Sequence, residues 1–226
     1  MQKAWRFFKK GVLWLFILHF IYIVACRWID PPITLTQIGS LLQGYGLQRD
    51  YVSYSEMSPN IKLAVLASED QLFPDHDGFD IKAIKKAMKY NEKHPNRRRG
   101  ASTISQQVAK NVFLWQGGGY IRKGLEVYFT FMIEKIWSKK RILETYLNVA
   151  ETGKGIFGVQ AAARAFFKKD TKDLSRSEAA MIAASLPNPQ LYTVKPISKL
   201  VSNRYDDIMR QMVNLEGDQD IQNLIK

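Results

Sequence analysis

Glu69 and Glu126 are carboxylates that could do acid–base work, and Lys110, Arg122 and Lys123 are cations that could hold an anion. Glu69 follows an apolar run containing Ile61, Ala64 and Val65 and precedes a turn with Pro74 and Gly78. At such a helix end the macrodipole disfavours negative charge, which suits a proton acceptor working near neutral pH. The plain alternative is that Glu69 and Asp70 cap or pair with basic neighbours. Glu126 stands four residues after Arg122 and three after Lys123, so the three share one helix face. That pattern fits an ordinary ion pair as well as an anion-facing cluster. Lys110 and the run Arg97 to Arg99 read, taken singly, as solvated charges.

Other chemistries are excluded. A single cysteine, Cys26, allows neither an internal disulfide nor a cysteine-pair zinc site. The three histidines, His19, His76 and His94, lack the i, i+4 spacing of a helical metal site.

The elements that must position these residues are helices. Ser58-Pro59 is a cap and first-turn signal for a helix ending near Glu69. Ile81, Ile84 and Met88 form one face of a second helix, with Lys82, Lys85, Lys86 and Lys89 opposite, followed by the basic loop NEKHPNRRRG. Thr103 and Gln106 have capping-box spacing and open a helix toward Phe113. Gly117 to Gly119 then interrupt the chain before a long run from Tyr120 to Trp137 and a further helix over RILETYLN. Ser175 and Glu178 form a second capping box, and Pro187 and Pro189 stop the helix behind it. No run reads as a central strand, so the domain spanning 59–226 is expected to be mainly α.

Residues 11–29, GVLWLFILHFIYIVACRWI, carry Arg27 as their only charge and are long enough for a transmembrane helix. Lys3, Arg6, Lys9 and Lys10 precede it, which predicts a cytoplasmic segment 1–10 and places everything after Asp30 on the other side. The stretch after Ala25 is a poor match to a signal-peptide cleavage site, so the anchor is read as retained. Residues 30–58 have no strong periodicity and read as an extended connector. The formal charge of +12 favours nucleic acid, acidic lipid or phosphorylated substrates as partners. No nucleic-acid module signature is present, which argues against the first.

Taken in order, ASEDQLFPDHDGFD, RGASTISQQVAKN, IRKGLE and KKRILETYLN match in sequence and spacing the motifs of the peptidoglycan glycosyltransferase family. GIFGVQAAARAFF and ASLPNPQLY look like its later signatures, so the resemblance covers about Ile61 to Tyr192. It implies a lysozyme-like helical fold that polymerises lipid II, an undecaprenyl-diphosphate-linked disaccharide-pentapeptide, onto a growing glycan chain. It further implies Glu69 as the catalytic base, Glu126 as a second essential carboxylate, and Lys110, Arg122 and Lys123 as diphosphate-binding residues. Ser102, Thr103, Gln106 and Gln107 fall in its donor-lining motif. Mg²⁺ or Mn²⁺ is the plausible cofactor, with no organic cofactor; membrane lipids and other cell-wall synthesis proteins are the expected partners. The implied setting is the bacterial cytoplasmic membrane, with apolar residues of the connector or of Phe113 to Tyr120 dipping into the interface. Neither S-x-x-K nor K-T-G occurs, so a monofunctional enzyme without a transpeptidase is expected.

Overall fold

The computed structural model describes residues 2–97 and 99–226; Arg98, the middle of the arginine run, lies outside them. Helix α1 (Gln2–Ala25) is the apolar one. Its stretch Trp5–Ala25 has 21 residues, about 31 Å of helix at about 1.5 Å per residue, which matches the hydrocarbon core of a bilayer. The helix begins earlier and ends sooner than the hydropathy pattern of 11–29 suggests. The cause lies at its base, where Ile23 and Cys26 are buried against the rest of the chain. The Trp137 indole N–H donates to the Ile23 carbonyl at 2.8 Å, and the Arg141 guanidinium donates to the Cys26 carbonyl at 3.0 Å. Carbonyls that a helix end leaves without partners are thus satisfied from the domain, and Arg141 also complements the negative end of the dipole. One turn higher, His19 Nε2 lies 2.8 Å from the Tyr128 hydroxyl, and the Tyr22 ring meets Phe113 edge-on.

The stretch read as a connector holds regular structure. Helix α2 (Leu35–Leu42) begins with a full capping box between Thr34 and Gln37, the same T-x-x-Q spacing recognised at Thr103. Strand β1 (Gln48–Arg49) follows. Helix α3 (Pro59–Glu69) has Ser58 as its N-cap and proline at its first position, as the sequence predicts. It is buried on every side from Ile61 to Ala67, the behaviour of a central helix and not of an amphipathic surface one. Even Lys62 is enclosed: its ammonium donates to the Ile225 carbonyl at 3.1 Å and lies 3.9 Å from the Tyr54 ring centre. Burial lowers its pKa to about 8.

Helix α4 (Ile81–Lys93) carries its lysines to solvent, and α5 (Ile104–Phe113) starts at the predicted capping box. Helix α6 (Tyr120–Ile136) is entered through Gly117 and Gly119, whose φ of 123° and 122° explain why this loop is glycine-rich. Helix α7 (Lys139–Val149) leads into β2 (Glu151–Gly153) and β3 (Ile156–Phe157). The three strands form one small sheet in the order β1-β3-β2, with β1 and β3 parallel and β2 and β3 antiparallel. Two- and three-residue strands are too short for an alternating pattern to register in sequence. Helix α8 (Val159–Phe167) precedes α9 (Arg176–Ser185), α10 (Lys199–Asn214) and α11 (Gln219–Ile225). The buried face of α9 is mostly alanine, Ala179, Ala180, Ala183 and Ala184, and small side chains let α3 and α10 pack closely on it. Helix α5 packs in turn on α6 and α7. The architecture is mainly helical, with the apolar helix seated on it at one end.

Candidate active site

Glu69 is the last residue of α3, so its side chain leaves the core where the helix stops. The Gln107 side-chain N–H donates to its Oε2 at 3.0 Å, the Ser68 hydroxyl donates to its Oε1 at 3.0 Å, and the Arg204 guanidinium of α10 lies 3.7 Å from Oε1. These donors supply the negative charge with the support that its place at a helix end denies it. The Tyr146 hydroxyl of α7 donates to the Gln107 side-chain oxygen at 3.1 Å, which turns the amide so that its N–H faces Glu69. Tyr146 is fully enclosed, and burial first, with Glu69 and Asp70 behind it, raises its pKa well above the ordinary phenol value. It therefore acts as a fixed donor.

Asp70, next in sequence, does a different job. It is buried, accepts from the Ile104 backbone N–H at 2.9 Å and lies 3.0 Å from His76 Nε2. A free amide at the start of α5 is thereby tied to the end of α3. Thr103 adds a second tie, its hydroxyl donating to the Gly78 carbonyl at 2.7 Å. Gly78 has φ 86°, and a Cβ there would stand 2.8 Å from a methyl carbon of Thr130, so no other residue fits without displacement.

Glu69 opens onto a cleft of about 660 Å³ whose wall includes Ser102, Thr103, Gln107, Lys86, Arg99 and Arg204. One turn along α5 from Gln107 stands Lys110, on the same helix face. Burial lowers the Lys110 pKa, Glu126 opposes that shift, and Arg122 and Lys123 add to it. The ammonium is thus desolvated among other cations, a setting that an incoming anion would relieve. Glu126 itself is buried; Arg122 donates to its Oε2 at 2.7 Å and Lys123 pairs with its Oε1. Arg122 Nε is buried with no partner, a spare donor beside this cluster.

The structure brings Glu69, Ser102, Thr103 and Gln107 to one cleft, and the Lys110 ammonium feels the charges of Glu126, Arg122, Lys123 and Glu69. Gln106 is placed elsewhere: it is buried, and its side-chain oxygen accepts from the Thr103 backbone N–H at 3.1 Å as half of the capping box. Its side-chain oxygen is thus committed to the start of its own helix. Arg204 and Tyr146 were missed by sequence reasoning. Tyr146 lies inside the recognised RILETYLN motif, a usable signal, whereas Arg204 looks like any charge on an amphipathic helix. Among the described residues no three metal-ligating side chains converge, and Glu69 and Glu126 already face cations, so the protein donors do not form a metal cage.

A helical domain that aims one carboxylate into an open cleft and sets a desolvated lysine and arginine beside it defines an acid–base enzyme directed at an anionic substrate. A family model described as transglycosylase matches residues 36–213, and the chain belongs to that family. The match begins inside α2, so the family's own domain takes in most of residues 30–58. A biosynthetic peptidoglycan transglycosylase of Haemophilus influenzae is 50% identical over 221 residues, covering 95% of this chain and 89% of that protein. One from Yersinia pseudotuberculosis is 48% identical over 224 residues, covering 96% and 93% respectively.

Proposed function

We propose that the chain is a monofunctional peptidoglycan glycosyltransferase that polymerises lipid II into β1,4-linked glycan strands and releases undecaprenyl diphosphate. The observation that carries this reading is α5, which joins the two halves of the chemistry: Gln107 touches Glu69, and Lys110, one turn on, feels the charges of Glu126 and Arg122. In the proposed reaction Glu69 takes the proton from the acceptor sugar's 4-hydroxyl as that oxygen attacks the donor's anomeric carbon. The bond from that carbon to the diphosphate breaks, its electron pair leaves with the diphosphate, and configuration inverts. Lys110 and Arg122, with Lys123 at the rim, take up the charge that grows on the leaving group, stabilising the transition state more than the ground state. Glu126 holds the two α6 cations in place. Mg²⁺ or Mn²⁺ would enter with the diphosphate oxygens and at most one protein carboxylate, and none of these steps runs through it.

The domain would stand on the outer side of the bacterial cytoplasmic membrane, as the basic residues before α1 favour. Exposed apolar side chains at the start of α6, Tyr120 and Ile121, support a domain resting at the lipid surface where its substrate diffuses. The test is polymerisation of purified lipid II by the wild type and Glu69→Gln. Polymer from the wild type alone is expected. Release of soluble fragments from preformed peptidoglycan, with no polymer made from lipid II, would overturn the reading in favour of a lytic enzyme.

A further inference from the structure

Helix α4 is held by little. None of its residues is buried, and among the described residues it packs closely on no other helix. Only its ends are fixed. At the start the Asp80 carboxylate accepts from the Ala83 backbone N–H at 2.8 Å. Toward the other end the Asn91 side chain exchanges two hydrogen bonds with the Arg99 backbone, and the Arg99 guanidinium lies 3.8 Å from the Tyr90 ring centre. A helix of 13 residues without a packed face is marginal in water. A surface outside the chain would steady it.

The outward face of α4 shows what that surface is. Lys82, Lys85, Lys89 and Lys93 form an exposed row, with Glu92 the one acid on that face. Along its edge run Ile81, Ile84 and Met88 at helical spacing, with Ile81 exposed over 56% and Met88 over 59% of their surfaces. An apolar edge beside a row of lysines is the pattern of a helix lying in a membrane interface, with its cations reaching back to the headgroups.

The depth of α4 agrees. Gly78, two residues before the N-cap, packs on Thr130 and Glu134 of α6. Along the chain these stand between Tyr128 and Phe129, which meet the His19 ring, and Trp137, which bonds the Ile23 carbonyl. His19 and Ile23 belong to the last two turns of the apolar stretch Trp5–Ala25. The start of α4 is therefore level with the end of the membrane-spanning segment, where headgroups lie.

We propose that α4 docks on anionic phospholipid, with Ile81 and Met88 entering the interface and Lys82, Lys85, Lys89 and Lys93 facing headgroup phosphates. The inference rests on the domain being seated at the outer membrane surface, as in the function proposed above. Because Ala83, Lys86 and Ala87 on the inner side of α4 line the catalytic cleft, docking would also steady one wall of that cleft against the bilayer.

The test places an environment-sensitive fluorophore at position 88 of the full-length protein, through Met88→Cys in a Cys26→Ser background, reconstituted in nanodiscs whose acyl chains carry bromine as quencher. Discs of phosphatidylcholine alone are compared with discs that also hold phosphatidylglycerol. Quenching in the anionic discs and little in the neutral ones is expected, with the difference shrinking as salt is raised. A lysine near an anionic surface is worth about fivefold in binding. Lys82→Gln, Lys85→Gln and Lys89→Gln together should therefore weaken docking on the order of 100-fold and bring quenching to the neutral-disc level, while the same three changed to Arg should retain it. Equal quenching in both lipids, or none in either, would overturn the proposal, as would quenching that survives in the glutamine set. Stronger protection of the label by a soluble polyanion in neutral discs than by phosphatidylglycerol would overturn it too. The readout uses no lipid II, so a wild type that docks but makes no polymer would sink the polymerase reading alone.

Discussion

The two acidic residues of the site live in opposite surroundings. Glu69 ends a core helix at an open cleft, held by an amide, a hydroxyl and a guanidinium at 3.7 Å. Glu126 is sealed within α6, with Arg122 on one oxygen and Lys123 on the other. A carboxylate held by two neutral donors, with its cation no nearer than 3.7 Å, keeps a lone pair for a substrate proton. One saturated by two cations has none to offer and acts by fixing those cations. The same residue type therefore supplies the base at one place and the scaffold for anion binding at the other, and exposure together with partner charge decides which.

Glu69→Gln should break this contrast most severely. Removing a general base costs on the order of 10²–10⁴ in rate, so turnover of lipid II should fall to that extent with little change in melting temperature. Glu126→Gln should lower kcat/KM by about 10² and also destabilise the fold. A broken buried pair costs about 3–5 kcal/mol, and half-exposed Lys123 brings the expectation to about 2 kcal/mol, readable by urea unfolding. If Glu126→Gln cost activity with no loss of stability, its part would be more direct than that of a scaffold.

The Lys110 shift gives a pH test. Its pKa lies below the ordinary lysine value because of burial, so the ammonium is present at low and neutral pH and is lost sooner than usual as pH rises. The alkaline limb of the kcat/KM profile should therefore fall below the usual lysine range, and Lys110→Arg, which stays protonated, should move that limb upward. Smallest is Arg204→Met. Losing one cation at 3.7 Å from Glu69 should cost about five- to tenfold in kcat, with KM less affected. An equal loss in KM alone would show that Arg204 serves substrate binding and not the orientation of Glu69.

Much of the fold was legible because caps and helix faces are local. The boxes at Thr103 and Ser175 and the Ser58-Pro59 start all stand where spacing put them. The capping box at Thr34 carried the same signal, and Leu35, Ile38 and Leu42 follow it at helical spacing, so this helix was readable too. The strands stayed hidden because two or three residues cannot show a period, and because β1 finds its partner β3 far along the chain.

The sequence by itself determined the helical class, the apolar N-terminal helix, and the pairing of Arg122 and Lys123 with Glu126, since neighbours within one helical turn meet wherever the helix lies. Only the tertiary structure decided what surrounds Glu69. Ser68, its neighbour, receives a hydrogen bond from Arg204 across 136 positions, Gln107 reaches Glu69 across 38, and Tyr146 orients Gln107 across 39. It also decided that the base of α1 is part of the domain, through a bond from Trp137 to Ile23 across 114 positions. No periodicity encodes such contacts. They follow from the packing of α3 against α9 and α10 and of α5 against α6 and α7, which fixes where each side chain leaves the core.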